Sequence, residues 1–261
     1  ATREVAVTVR PVNDPPFIQE IPDQEILEDG MLSGVTVLIG DIDSNVNELR
    51  VEAFSSNTSI LRNELIRIEP EFSTDNGFGA WLSAIPEPDR FGTVTVTVRV
   101  TDPEGATANR SFRLNILPVN DPPTFETGPD IVVPEDAGPQ SFPKWAKDIS
   151  PGPFEQGQKV TFELEIVEEH TAYPQLFAEG PAIAPDGTLT FTPAPNAHGS
   201  ALVRVWLKDD GGTEHGGKDT SDPPKTFAIT VNSVNDVPVI SPIPNYGTDV
   251  GTATGWIRFD V

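Results

Sequence analysis

Valine stands at every second position in Val94, Val96, Val98 and Val100, with Thr and Arg between. This alternation is the period-two pattern of a strand with one buried face. It returns as Ala201, Val203, Val205 and Leu207. Each run is followed by a shorter one, Phe112-x-Leu114-x-Ile116 and Phe227-x-Ile229-x-Val231, and the same pattern opens the chain as Val5-x-Val7-x-Val9. With 27 prolines and 21 glycines in 261 residues, the punctuation predicts many short strands joined by turns rather than long helices.

The runs are parts of a repeat. Val12-Asn13-Asp14-Pro15-Pro16 recurs as Val119-Asn120-Asp121-Pro122-Pro123 and as Val234-Asn235-Asp236-Val237-Pro238, and other markers keep register with it. Glu28 and Glu135 both lie 14 residues after the linker Asp, Asp41 and Asp148 lie 27 after it, Asp89 and Asn196 lie 75 after it, and Asp102 and Asp209 lie 88 after it. Only the Asp209–Thr226 segment has grown, by 8 residues relative to the stretch after Asp102. The predicted organisation has residues 1–13 as the last strand of a preceding repeat, 14–120 and 121–235 as two full repeats, and 236–261 as the start of a third. Units of about 100 residues with short, regularly spaced strands predict an all-β chain of tandem seven-stranded Greek-key β-sandwiches of Ig-like type.

The ordered set of acidic motifs resembles the cadherin superfamily, and more closely the bacterial cadherin-like tandem repeats of large surface adhesins. The first repeat carries Asn13-Asp14, Glu28, Asp41-x-Asp43, Asp89 and Asp102-x-x-Gly105. The second carries Asn120-Asp121, Glu135, Asp148, Asn196 and Asp209-x-x-Gly212, and Asn235-Asp236 opens the next. The resemblance implies Ca2+ bound at the junctions between repeats. For the central junction it implies Glu28 and Asp89 from one side, Asn120 and Asp121 in the linker, and Asp148 and Asp209 from the other. By the same reading Asn13, Asp14, Asp41, Asp43 and Asp102 serve the preceding junction, and Glu135, Asn196, Asn235 and Asp236 the following one. Asp29 and Asp136 read as solvated neighbours of the glutamates.

This sequence departs from the animal pattern in several places. Pro11, Pro118 and Ser233 stand where an animal linker has a further Asp, Phe91 and His198 stand where the turn motif ends in Glu, and Ser150 stands for the second Asp of Asp-x-Asp. One or two ions per junction are therefore expected, with the central site weaker than the first.

Charge sharpens this reading. Forty acidic against 17 basic residues give a net charge of −23, which opposes nucleic-acid binding and contact with an anionic membrane surface. Calcium takes six to eight hard oxygen ligands, so crowded carboxylates suit it. The chain has no cysteine for a disulfide or thiolate site. No apolar stretch is long enough to span a bilayer. Asn-Asp-Pro-Pro by itself also makes a stiff linker through Asx-turn chemistry. His170, His198 and His215 share no metal-ligand spacing, and no catalytic motif is found, so no catalytic residues and no enzyme activity are expected.

The expected role is a calcium-rigidified spacer of an extracellular adhesin or surface filament. Its partners would be neighbouring repeats of the same polypeptide, copies of itself in a filament, or a cell-surface glycan or protein. Two alternatives stay open: a ligand- or glycan-binding adhesin module using the Asp209–Thr226 loop, and accessory domains of a secreted enzyme.

Overall fold

The computed structural model describes residues 3–10, 12–74, 77–238, 240, 247, 250 and 251. The fold is all-β, with short 3-10 turns and no α-helix among the described residues. Two compact units form. The first comprises Ala1–Thr124 with Ser150–Val160 and Lys208–Ser221, and the second comprises Phe125–Ile149, Thr161–Leu207 and Asp222–Val261.

In the first unit, eight strand segments build two four-stranded sheets. They are β1 (Phe17–Ile18), β2 (Gln24–Leu27), β3 (Leu32–Gly40), β4 (Arg50–Ser55), β5 (Ile66–Thr74), β6 (Gly77–Ala84), β7 (Gly92–Thr101) and β8 (Thr107–Leu117). The sheet orders are β1-β3-β6-β5 and β2-β8-β7-β4. β1 and β2 are halves of one edge strand that changes sheets. β1 pairs antiparallel with β3 and β2 parallel with β8, and Pro22 between them lacks the N–H that a continuous ladder would need. Counted this way, the sandwich has seven strands. A register shift between Leu32 and Val35 falls where Gly34 adopts φ 74°, a conformation that costs glycine nothing.

The Val94–Val100 alternation lies in β7, and all four side chains are buried. They pack with Phe112, Leu114 and Ile116 of β8 and with β3 and β6 residues from the facing sheet. This core stabilises the fold by removing apolar area from water, and it holds the strand ends in register at both poles.

The second unit repeats the plan. Its strands are β9 (Thr124–Glu126), β10 (Ile131–Pro134), β11 (Gln140–Phe142), β12 (Lys147–Ser150), β13 (Val160–Thr171), β14 (Phe177–Ile183), β15 (Leu189–Pro193), β16 (Gly199–Asp209) and β17 (Lys225–Asn232). One sheet is ordered β10-β17-β16-β13, another β11-β15-β14, and β12 pairs with β9. Ala201, Val203, Val205 and Leu207 of β16 are buried, while Trp206 on the opposite face is half-buried with the Arg204 guanidinium 5.8 Å from its ring. Aromatic rings fill much of this core. Trp145 packs at 4.3 Å from Phe227 and donates its indole N–H to Pro129 O at 2.9 Å.

At the chain ends the pattern reads differently. Val5, Val7 and Val9 are 81–85% exposed and form no strand. Their alternation needs a sheet to pack against, and the described residues offer none. The start of a third repeat expected in 236–261 falls almost wholly outside the described residues.

Candidate metal centre

The central linker follows β8, and the acidic side chains around it belong to the first compact unit. After β2 the chain turns, with the Gly30 N–H on Leu27 O and Asp29 in the left-handed region at φ 58°. Glu28 points inward and is 5% exposed. Its N–H donates to Leu117 O at 2.8 Å, and its Oε1 accepts the Val119 N–H at 2.5 Å. The end of β2 is thereby tied to the start of the linker. Asp89, also left-handed at φ 56°, donates its N–H to Asp29 Oδ1 at 3.0 Å. Carboxylate oxygens of Asp29, Asp89 and Asp121 all lie within 4.8 Å of one another.

A second group meets the linker from loops 150–160 and 208–221. Asn120 Nδ2 donates to Asp209 Oδ1 at 3.0 Å, and Gln158 Nε2 donates to Asn120 Oδ1 at 2.7 Å. The Asp121 N–H reaches Glu155 Oε1 at 3.4 Å. Glu155 and Asp209 are at least nine-tenths buried. Their remaining oxygens, Glu155 Oε2 and Asp209 Oδ2, are buried without a hydrogen-bond partner of normal geometry. Buried carboxylate oxygens rarely lack a partner, because losing hydration is costly.

Electrostatics raise the cost further. Two unit charges ~4 Å apart repel by about 1 kcal/mol even in water, and by more where water is excluded. Burial pushes the Glu28 carboxyl above its ordinary value; the Val119 hydrogen bond works the other way, and Asp121, Asp29 and Asp89 add to the rise. Asp121 is raised by burial and then by Asp89 and Asp29. Glu155 is raised by burial, opposed by the Asp121 N–H, with Asp121 and Asp209 adding repulsion. The group consists of hard oxygen donors with excess negative charge and two unpartnered buried carboxylate oxygens. This donor set fits a hard divalent cation such as Ca2+.

The structure gathers most of the sequence candidates at this linker, but not all. Asp148 is exposed, with φ 50°, and falls in the second compact unit. Ser150 spends its hydroxyl on Gly152 at 3.3 Å. Within the first unit a further carboxylate comes from Glu155, seven residues after Asp148 in the Pro- and Gly-rich loop. Its signal in the sequence is a lone acid following an Asp-x-Ser that lacks its second Asp. Asp29 is the other residue that sequence reasoning left out, since only the left-handed turn brings it over Asp89.

The remaining candidates sit at other poles. Asn13 Nδ2 donates to Asp102 Oδ2 at 2.8 Å, repeating the Asn120–Asp209 bond, and the Asp14 N–H donates to Asp43 Oδ2 at 2.8 Å. Asp41 Oδ1 accepts from the Asp43 and Ser44 amides, while its Oδ2 is buried without a partner. The Asn13 amide holds the Asp102 carboxyl below its ordinary value. In the second unit Glu135 Oε1 accepts the Val234 N–H at 2.7 Å, matching Glu28, but its Oε2 faces His198 Nδ1 at 3.6 Å rather than further acids. Asn196 keeps the left-handed turn at φ 57°, and Asn235 and Asp236 are exposed.

Fold and site together define an Ig-like β-sandwich repeat with an acidic pole. Residues 13–115 match the family model described as "Bacterial Ig domain". Among solved structures, protocadherin gamma B2 extracellular cadherin domains 1–5 superpose with a TM-score of 0.50 at 15% identity, covering 86% of this chain and 42% of that one. Mouse cadherin-23 EC22-24 gives 0.48 at 17% identity, covering 86% and 68%. The chain thus spans less than half the length of the protocadherin structure. No curated protein matches the chain. Residues 13–115 are thus similar to a bacterial Ig domain, and the fold is similar to that of tandem cadherin domains. No helix among the described residues is long and apolar enough to cross a membrane.

Proposed function

We propose that this chain is a spacer segment of an extracellular adhesin or surface filament, stiffened by Ca2+ at the linker between its two full repeats. The observation that carries the reading is the convergence of Asp29, Asp89 and Asp121 oxygens within 4.8 Å at that linker. Asp29, Asp89 and Asp121 would hold the ion, with Glu28, Glu155 and Asp209 supplying charge and further oxygens. Bound calcium would replace carboxylate repulsion by attraction and so fix the linker's backbone. Two sequence-distant turns and the linker would then share one ligand set, which is the requirement for stiffening.

The resemblance of the repeats to bacterial cadherin-like modules supports calcium in particular, and so does the all-oxygen donor set. Calorimetric titration with Ca2+, together with small-angle scattering in calcium and in chelator, tests the proposal. Saturable binding with a longer, narrower distribution of dimensions is expected. Absence of binding at millimolar calcium would overturn it.

A further inference from the structure

The loop that has grown between β16 and β17 folds back onto the linker. In the first repeat the corresponding hairpin is tight: the Gly105 N–H bonds Asp102 O, the Asp102 N–H bonds Ala106 O, and the Ala106 N–H bonds Asp102 Oδ1. Among the described residues, its reach toward its own linker is the Asn13–Asp102 side-chain bond. The second repeat keeps that bond as Asn120–Asp209 and adds a two-way pairing. The Lys218 N–H donates to Asn120 O at 2.8 Å, and Asn120 Nδ2 donates to Lys218 O at 2.7 Å. The loop is braced at its own base, with the Asp209 N–H on Asp219 O at 3.0 Å and Lys208 bridged to Thr220.

Sterics agree with the bonding. A Cβ at Gly217 would lie 2.9 Å from Asn120 N and Cβ, and one at Gly211 would lie 1.6 Å from Asn120 Oδ1. Neither glycine has a left-handed φ, so close approach to the linker, not turn geometry, is what excludes a side chain there. Gly212 and Gly216 do have left-handed φ values and face open space, so their role is the turn.

We propose that residues 210–220 form a clasp that holds Asn120, and through it the linker, without any metal ion. Its grip on Asn120 consists of neutral hydrogen bonds with Lys218 and close backbone packing, so it does not depend on calcium being the ion. Gly217 and Gly211 act as positioning residues by allowing the approach, and Asn120 is the residue gripped. The clasp keeps Asp121, the next residue, close to Asp89 and Glu155 before a cation arrives.

Residue-resolved amide hydrogen exchange on the full chain in chelator tests this. The Lys218 amide is expected to be protected in the parent. In Gly217→Ala and in Asn120→Ala its protection should fall by about tenfold, the loss that goes with one broken hydrogen bond, while the Val203 and Val205 amides stay protected. If Gly217→Ala also loses those core amides, Asn120→Ala decides by the same criteria. A Lys218 amide unprotected in chelator but protected in calcium would overturn the metal independence. Undiminished protection in both variants would show that the loop does not grip the linker. A failure of calcium to bind would leave these outcomes untouched.

Discussion

Glu28 Oε1 accepts the Val119 N–H at 2.5 Å across 91 residues of sequence, and Glu135 makes the same bond to Val234. This one carboxylate has two separable roles, as a hydrogen-bond acceptor for the linker backbone and as a negative charge beside Asp29, Asp89 and Asp121. Glu28→Ala removes both and leaves the Val119 N–H unpaired, so it should destabilise by about 1 kcal/mol or more with and without calcium. Glu28→Gln keeps an acceptor and removes charge. It should lower the melting temperature in calcium and leave it unchanged or raised in chelator. Differential scanning calorimetry of both variants under both conditions checks this.

Asp121→Asn tests the cluster from the linker side. A ligand bound only by the native state stabilises it by about 2.7 kcal/mol at a hundredfold excess over its Kd. The variant should lose much of that gain in calcium. In chelator it should melt no lower than the parent, because a burial- and repulsion-strained carboxylate is gone. Equal destabilisation in both buffers would make Asp121 a structural hydrogen-bonding residue instead.

Glu155 and Asp148 give a comparison between what the structure gathers and what the repeat register suggests. Glu155→Gln should weaken calcium binding on the order of tenfold, since affinity follows the charge count of the ligand set. Asp148→Asn should change it little, as Asp148 is exposed. Titration calorimetry of the two variants would reverse the assignment if Asp148→Asn had the larger effect.

The pH dependence should change direction with calcium. Glu28, Asp121 and Glu155 have native pKa values raised above their unfolded ones. Between the two values the native state binds more protons, so in chelator stability falls as pH rises through that window. Asp102 and Asp186 are lowered, Asp102 chiefly by the Asn13 amide and Asp186 chiefly by the Thr188 N–H. They stabilise above the ordinary Asp value, and their contribution is lost as pH falls through their native pKa. The melting temperature in chelator should therefore rise on mild acidification from neutral pH and fall again in stronger acid. In saturating calcium the first trend should invert, because the ligands must be ionised to bind. Melting curves across pH in the two buffers check both signs.

Much of the fold was legible in the sequence because a half-buried strand imposes a period of two, and a repeat shows that period twice. The alternations at 94–100 and 201–207 are β7 and β16 with their apolar faces buried. The fixed offsets of Glu28, Asp89, Asn120, Asp121 and Asp209 were legible for the same reason, since residues held at one pole keep one distance along the chain. The Val5–Val9 alternation was equally plain, yet it forms no strand here. Alternation records which face wants burial and does not supply the sheet that buries it.

What the sequence by itself determined was thus the all-β class, the repeat and the acidic character of its poles. Only the tertiary structure decided which acids meet. Asp29 joins the cluster because a left-handed turn carries it over the Asp89 amide. Glu155 reaches the linker because its loop crosses to the Asp121 amide. The loop at 210–220, part of the segment that the sequence offered as a binding surface, closes on Asn120. Local sequence sets the strand period through side-chain alternation, whereas the destination of a loop depends on the backbone donors, acceptors and open space that distant segments leave for it.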